Sequence, residues 1–126
     1  MRYILKKTII MKFNWKKKTS IYIGRFQPFH LGHKKLFLKA LKSSKQVCLL
    51  VMDSYNVNKK NPYNFNTVKK KILKELKEYE KKFIIIKIPV VSSVVYGRKV
   101  GYKIRKINLP LDIEKISATK IRKKLI

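Results

Sequence analysis

The chain has 126 residues, enough for one hydrophobic core, and carries 33 basic against 6 acidic side chains, a formal charge of +27. With so few carboxylates, a carboxylate base or a carboxylate metal cage would be poorly served, and the single Cys48 excludes an intrachain disulfide or a cysteine metal cluster. Such a charge suits a polyanionic partner, but nearly all of it is lysine spread along the whole chain beside abundant Ile and Asn. That pattern favours compositional bias over a dedicated nucleic-acid surface.

Residues 1–19 hold no motif and are expected to form a loosely packed N-terminal extension, with Met11 an alternative start; the domain proper is read as 20–126. Lys6 and Lys7 break the first apolar stretch and make it a poor secretory signal. A strand is expected from Ser20, with β-branched and aromatic residues up to a break at Gly24. The chain then turns through Pro28 and opens a helix whose first turn carries His33. His30 and His33 are three residues apart and can face the same side of that turn, so both could donate to one phosphate. A helix start beyond the carboxyl end of a parallel strand is itself an anion site, because unpaired N–H groups and the helix dipole point at the ligand.

Leu36, Phe37, Ala40 and Leu41 recur at helical spacing until Ser43 and Ser44. Residues 46–52 read as a strand buried on both faces, completing a right-handed βαβ unit. A polar loop over 53–66 contains Asn61-Pro62-Tyr63, and a helix over 66–82 presents Val68, Ile72, Leu76 and Tyr79 on one side and lysines on the others. Residues 83–88 form the next strand, ended by Pro89, and 90–96 read as either strand or loop. The apolar run 83–95 is too short for a membrane span and is interrupted by Lys87 and Pro89, so a cytoplasmic protein is expected. Gly97 and Gly101 bracket Arg98 in a turn that either approaches a ligand closely or closes a hairpin. Alternation predicts a further strand over 103–109, stopped by Pro110, and Ser117 can cap a final short helix.

The order Gly-Arg-Phe-Gln-Pro-Phe-His-x-Gly-His at residues 24–33 closely resembles the signature of the nucleotidylyltransferase superfamily, in particular its nicotinamide-mononucleotide adenylyltransferase-like branch. Ile-Ser-Ala-Thr-Lys-Ile-Arg at 116–122 resembles that superfamily's second motif, Ile-Ser-x-Thr-x-Ile-Arg, in the expected order. Two motifs at opposite ends of one domain are far more specific than a bare His-x-x-His pair. The resemblance implies an α/β, Rossmann-like, mostly parallel sheet of about five strands with helices on both faces. It also implies transfer of a nucleoside monophosphate from ATP, or alternatively CTP, to a small phosphate-bearing acceptor with release of pyrophosphate. A second alternative, different in kind from the CTP-using enzyme, is a degenerate domain that binds nucleotide or RNA without turnover.

Carried onto this sequence, the resemblance makes His30, His33 and Arg122 the catalytic candidates and Gly24, Arg25, Phe26, Gly32, Ser117, Thr119 and Lys120 the nucleotide-binding ones. Asn61 and Tyr63 fall where the family has Asn-Pro-Phe in a loop shaping the acceptor pocket, Tyr63 differing by a hydroxyl; an aromatic staple onto the next helix is an equal reading. Arg25, Arg98 and Arg122 stand out in a lysine-saturated chain because only arginine offers phosphate a planar fork. No protein-built metal site is expected; Mg²⁺ would arrive with the triphosphate, held by phosphate oxygens and water. The acceptor, the oligomeric state and membership of a longer or fused enzyme are not legible.

Overall fold

A computed structural model describes residues 13–53, 57–98 and 101–107. Strands β1 (Ser20–Gly24), β2 (Val47–Met52) and β3 (Phe83–Ile88) alternate with helices α1 (Leu31–Ser44) and α2 (Phe65–Glu75). The sheet is wholly parallel in the order β1-β2-β3, with Ser20 opposite Val47 and Val47 opposite Phe83. This is the α/β, Rossmann-like class expected, with three strands among the described residues.

The core follows from the alternation of β2. Val47, Leu49 and Val51 are buried on one face, next to Phe83 on β3. Phe37 and Ala40 of α1 and Val68, Ile72 and Leu76 of α2 and its end complete the same cluster. Both described helices therefore cover one face. On the other face Cys48, Leu50, Ile84 and Ile86 are only half-buried, and Ile21 is 63% exposed. Phe37 lies at the centre of the covered side, with ring centroids 5.7 Å from Phe83 and 6.0 Å from Tyr79.

Two elements end differently from expectation, and the stretch read as either strand or loop is loop. The 66–82 helix stops at Glu75, because Leu76 leaves helical geometry (φ −109°, ψ 21°) and a 3₁₀ turn, Lys77–Tyr79, brings Tyr79 onto Phe37. Residues 90–96 are loop. No strand forms over 103–107, where all but the last residue are exposed; Arg105 Nη2 instead donates to Ser43 Oγ at 2.8 Å. Residues 108 and 109 of that expected strand lie outside the described residues.

Buried Gln46, just before β2, ties residues 13–19 to the sheet. Its Nε2 donates to the Asn14 carbonyl at 2.7 Å and to Thr19 Oγ1 at 2.8 Å, while its Oε1 accepts from the Asn14 N–H at 3.2 Å. No helix among the described residues is long and apolar enough to cross a membrane.

Candidate active site

The turn between β1 and α1 is built around Phe26. Its backbone is left-handed (φ 53°), which folds the ring back over the end of β1. A Cβ on Gly24 would stand 2.7 Å from Phe26 Cζ, so only glycine fits there. The ring meets Tyr22 edge-on at 5.2 Å, Phe29 at 5.6 Å and His33 at 4.9 Å. Phe26 is 1% exposed, so its side chain supports the turn from beneath. The Gln27–Pro28 peptide is cis. Gly24→Ala drives a methyl into this buried ring and is expected to cost about 1–3 kcal/mol, read as a lowered denaturation midpoint.

His30 is the N-cap of α1, with extended backbone (φ −135°, ψ −176°). Histidine is not a favoured cap, yet here its Nδ1 accepts from the Gly32 N–H at 3.0 Å. His33, in the third helical position, returns the bond: its Nδ1 accepts from the His30 N–H at 3.0 Å. The pair forms a capping box of the kind usually made by Ser or Thr with Glu or Gln. The rings stack with centroids 3.8 Å apart and planes 24° apart, and Phe29 stacks on His33 at 5.5 Å.

These bonds fix the protons. A nitrogen that accepts from a backbone N–H cannot itself carry hydrogen, so each neutral ring holds its proton on Nε2. A cation would need a second proton on Nδ1, pointed at an amide hydrogen. Burial adds to this: it lowers the His30 pKa, and burial followed by the charge of His30 takes His33 from 6.5 to about 3. At neutral pH the turn therefore presents two stacked, uncharged Nε2–H donors at a helix N-terminus.

Gln27 joins this turn to the loop before α2. Its Nε2 donates to the Tyr63 carbonyl at 2.8 Å, and its Oε1 accepts from the Tyr63 N–H at 2.9 Å. Arg25 Nη1 approaches Asn61 Oδ1 at 3.5 Å, a long contact. Asn58 holds the loop itself: its Oδ1 accepts from the Lys60 N–H at 2.9 Å and the Asn61 N–H at 2.8 Å. Asn64 caps α2, its side chain accepting from the Thr67 N–H. Beyond the carboxyl ends of β2 and β3, Asp53, Val57, Tyr63, Asn64, Phe65, Asn66 and Lys87 line a cleft of about 240 Å³, with Lys87 Nζ 5.5 Å from the Phe65 ring centroid.

Of the expected site residues, Gly24, Arg25, Phe26, His30, Gly32 and His33 share one turn, and Asn61 and Tyr63 are bonded to it. Gly32, expected among the nucleotide-binding residues, has its N–H taken up by His30. Ser117, Thr119, Lys120 and Arg122 lie outside the described residues. Arg98 is exposed; Gly101 has the positive φ of 82° that favours glycine, and a Cβ at Gly97 would meet nothing within 4 Å, so no close approach demands glycine there. Among the described residues no three His, Cys, Asp or Glu side chains group to hold a metal. Gln27, Asp53 and Lys87 were not anticipated as site residues. For Asp53 and Lys87 the missing information is register: Val51 pairs with Lys87 and Met52 with Ile88, which brings both to one end of the sheet.

Residues 21–91 match the family model described as cytidylyltransferase-like, more than half of the chain. Among solved structures, the chain is similar to a bifunctional NMN adenylyltransferase/ADP ribose pyrophosphatase from Francisella tularensis, at 33% identity and a TM-score of 0.54 over 59% of this chain. A second crystal structure of that protein, complexed with AMP and a Mn ion, matches equally. The chain spans 23% of the length of these neighbours.

Proposed function

Because the chain belongs to the cytidylyltransferase-like family, we propose that it is a nucleotidylyltransferase that moves the adenylyl group of ATP onto a small phosphate-bearing acceptor. The observation that carries this reading is the stacked His30–His33 pair, two neutral Nε2–H donors at the start of α1. The acceptor offered first is nicotinamide mononucleotide, the substrate named for the Francisella neighbour.

In the proposed step an acceptor phosphate oxygen attacks the α-phosphorus of ATP. One P–O bond forms, the bond to the β-phosphate bridge breaks, and pyrophosphate leaves. The acceptor is already an anion, so no base has to remove a proton, in keeping with a chain poor in carboxylates. His30 and His33 donate to the oxygens around the α-to-β bridge, where charge builds. Neutral donors held by backbone bonds need no reorganisation as it does so. Gly24, Arg25 and Gly32 border the nucleotide; Ser117, Thr119, Lys120 and Arg122 hold the departing pyrophosphate. Asn61 and Tyr63 face the acceptor from the loop that Gln27 secures. A divalent cation arriving with the triphosphate would supply charge neutralisation, with Mg²⁺ the proposed ion and the Mn ion of the neighbour its parallel.

Arg122→Ala is expected to weaken ATP binding about tenfold in a nucleotide titration while leaving the thermal midpoint nearly unchanged. The reading as a whole is tested by pyrophosphate release with Mg²⁺, offering ATP or CTP with and without nicotinamide mononucleotide. Release that requires ATP and the acceptor together supports adenylyl transfer. Dependence on CTP reassigns the donor, and silence with both nucleotides overturns the reading.

A further inference from the structure

We propose that Gln27 is the positioning residue that sets the acceptor loop against the nucleotide turn. This inference rests on the adenylyl-transfer reading for what the two loops hold, but not for the contact itself. Gln27 is 6% exposed, and both ends of its amide serve a single residue 36 positions away: one accepts the Tyr63 N–H, the other donates to the Tyr63 carbonyl. A primary amide that satisfies both polar groups of one residue fixes distance and rotation together, as a rung of a sheet does. A lone hydrogen bond would leave the loop able to swing.

The placement of this clamp gives it consequence. On one side, Gln27 lies three residues before His30 and next to Phe26, whose ring supports His33. On the other, Tyr63 runs directly into Asn64 and Phe65, which line the cleft at the sheet's carboxyl end. The Gln27 clamp, with the longer Arg25–Asn61 contact beside it, thus carries the separation between the imidazole donors and the cleft. In a transfer that proceeds by alignment, that separation governs the approach of the acceptor oxygen to the α-phosphorus. Gln27 touches neither reactant in this scheme; it acts through Tyr63.

Two variants test this. Gln27→Met keeps the length and bulk of the side chain and removes both bonds, whereas Gln27→Glu keeps an acceptor for the Tyr63 N–H and sets a second acceptor against the Tyr63 carbonyl. With ATP and nicotinamide mononucleotide as probes, Gln27→Met is expected to lower kcat/KM for the acceptor roughly thirtyfold, with the ATP dissociation constant changed by less than about threefold. Gln27→Glu falls between it and the parent. A residue with a merely structural role would weaken both together, and that result overturns the proposal. The second readout is hydrogen exchange at the Tyr63 amide, which ATP is expected to slow in the parent and not in Gln27→Met. Equal slowing in both overturns the proposal. If the parent releases no pyrophosphate, adenylyl transfer fails as a reading, and exchange at Tyr63 still decides the coupling. If Gln27→Met does not fold, Gln27→Glu carries both comparisons.

Discussion

His33→Ala is expected to lower kcat by about 10²–10³-fold, the usual consequence of deleting one preorganised donor to a developing charge. The substitution also removes a structural bond, because His33 Nδ1 accepts the His30 N–H at the start of α1. A loss of about 1 kcal/mol in stability should accompany the kinetic defect. The two roles can be separated by chemistry. Glutamine is a preferred partner at the third position of a capping box, so His33→Gln can restore the acceptor for the His30 N–H without returning an imidazole Nε2–H to the same place. Its denaturation midpoint should recover toward that of the parent while turnover stays low. Recovery of both in His33→Gln would mean that the side chain serves the helix and not the phosphate, and would remove His33 from the catalytic set.

Acidification is expected to destabilise the fold through the buried histidine of the β1–α1 turn. His33 has its pKa lowered from 6.5 to about 3 in the folded chain, chiefly by burial between Phe26, Phe29 and His30, with the charge of His30 adding to it. His30, its only titratable ring neighbour among the described contacts, shifts in the same direction. Between those values the unfolded chain binds a proton at this position that the folded chain does not. Stability therefore rises with pH across the window, and is lost as pH falls from 6.5 toward 3 at up to about 1.4 kcal/mol per pH unit for His33. Denaturant midpoints measured from pH 7 to pH 4 check this slope, and His33→Gln, which cannot titrate, should flatten it. An unchanged slope in that variant would place the acid sensitivity elsewhere. The same shift predicts that turnover, over the range where the fold persists, shows no loss at the ordinary histidine pKa, because neither ring is required as a cation.

What the sequence disclosed was decided by whether an arrangement is local. Gly24, Pro28, His30 and His33 belong to one turn, and their order was enough to place a strand end, a helix start and a pair of donors. The capping role of those histidines was less visible, since propensity alone would never nominate histidine for that position. Gln27 stands within the motif but its purpose is not legible there, because its partner is the backbone of Tyr63, and no residue type advertises a backbone partner. Asp53 and Lys87 reach the same cleft only through the register of β2 with β3. The misplaced end of α2 has a similar origin: apolar spacing continues through Tyr79, which packs inward from a 3₁₀ turn as readily as from a helix. For 103–107, alternation is present but no neighbouring strand is among the described residues, and alternation without a partner does not make a strand.

The reciprocal bonding of His30 and His33 makes the opening turn of α1 both a structural terminus and a chemical instrument. Helix ends are where native proteins open first, at a small fraction of the free energy needed to melt the whole. When this turn frays, the Nδ1 atoms lose their amide partners, the proton position is no longer dictated, and the rings are released to water. Heat should therefore silence the protein some degrees below the temperature at which its sheet comes apart. A bound anion would work in reverse: by drawing on both Nε2–H groups it makes each Nδ1 a stronger acceptor and closes the turn that holds it.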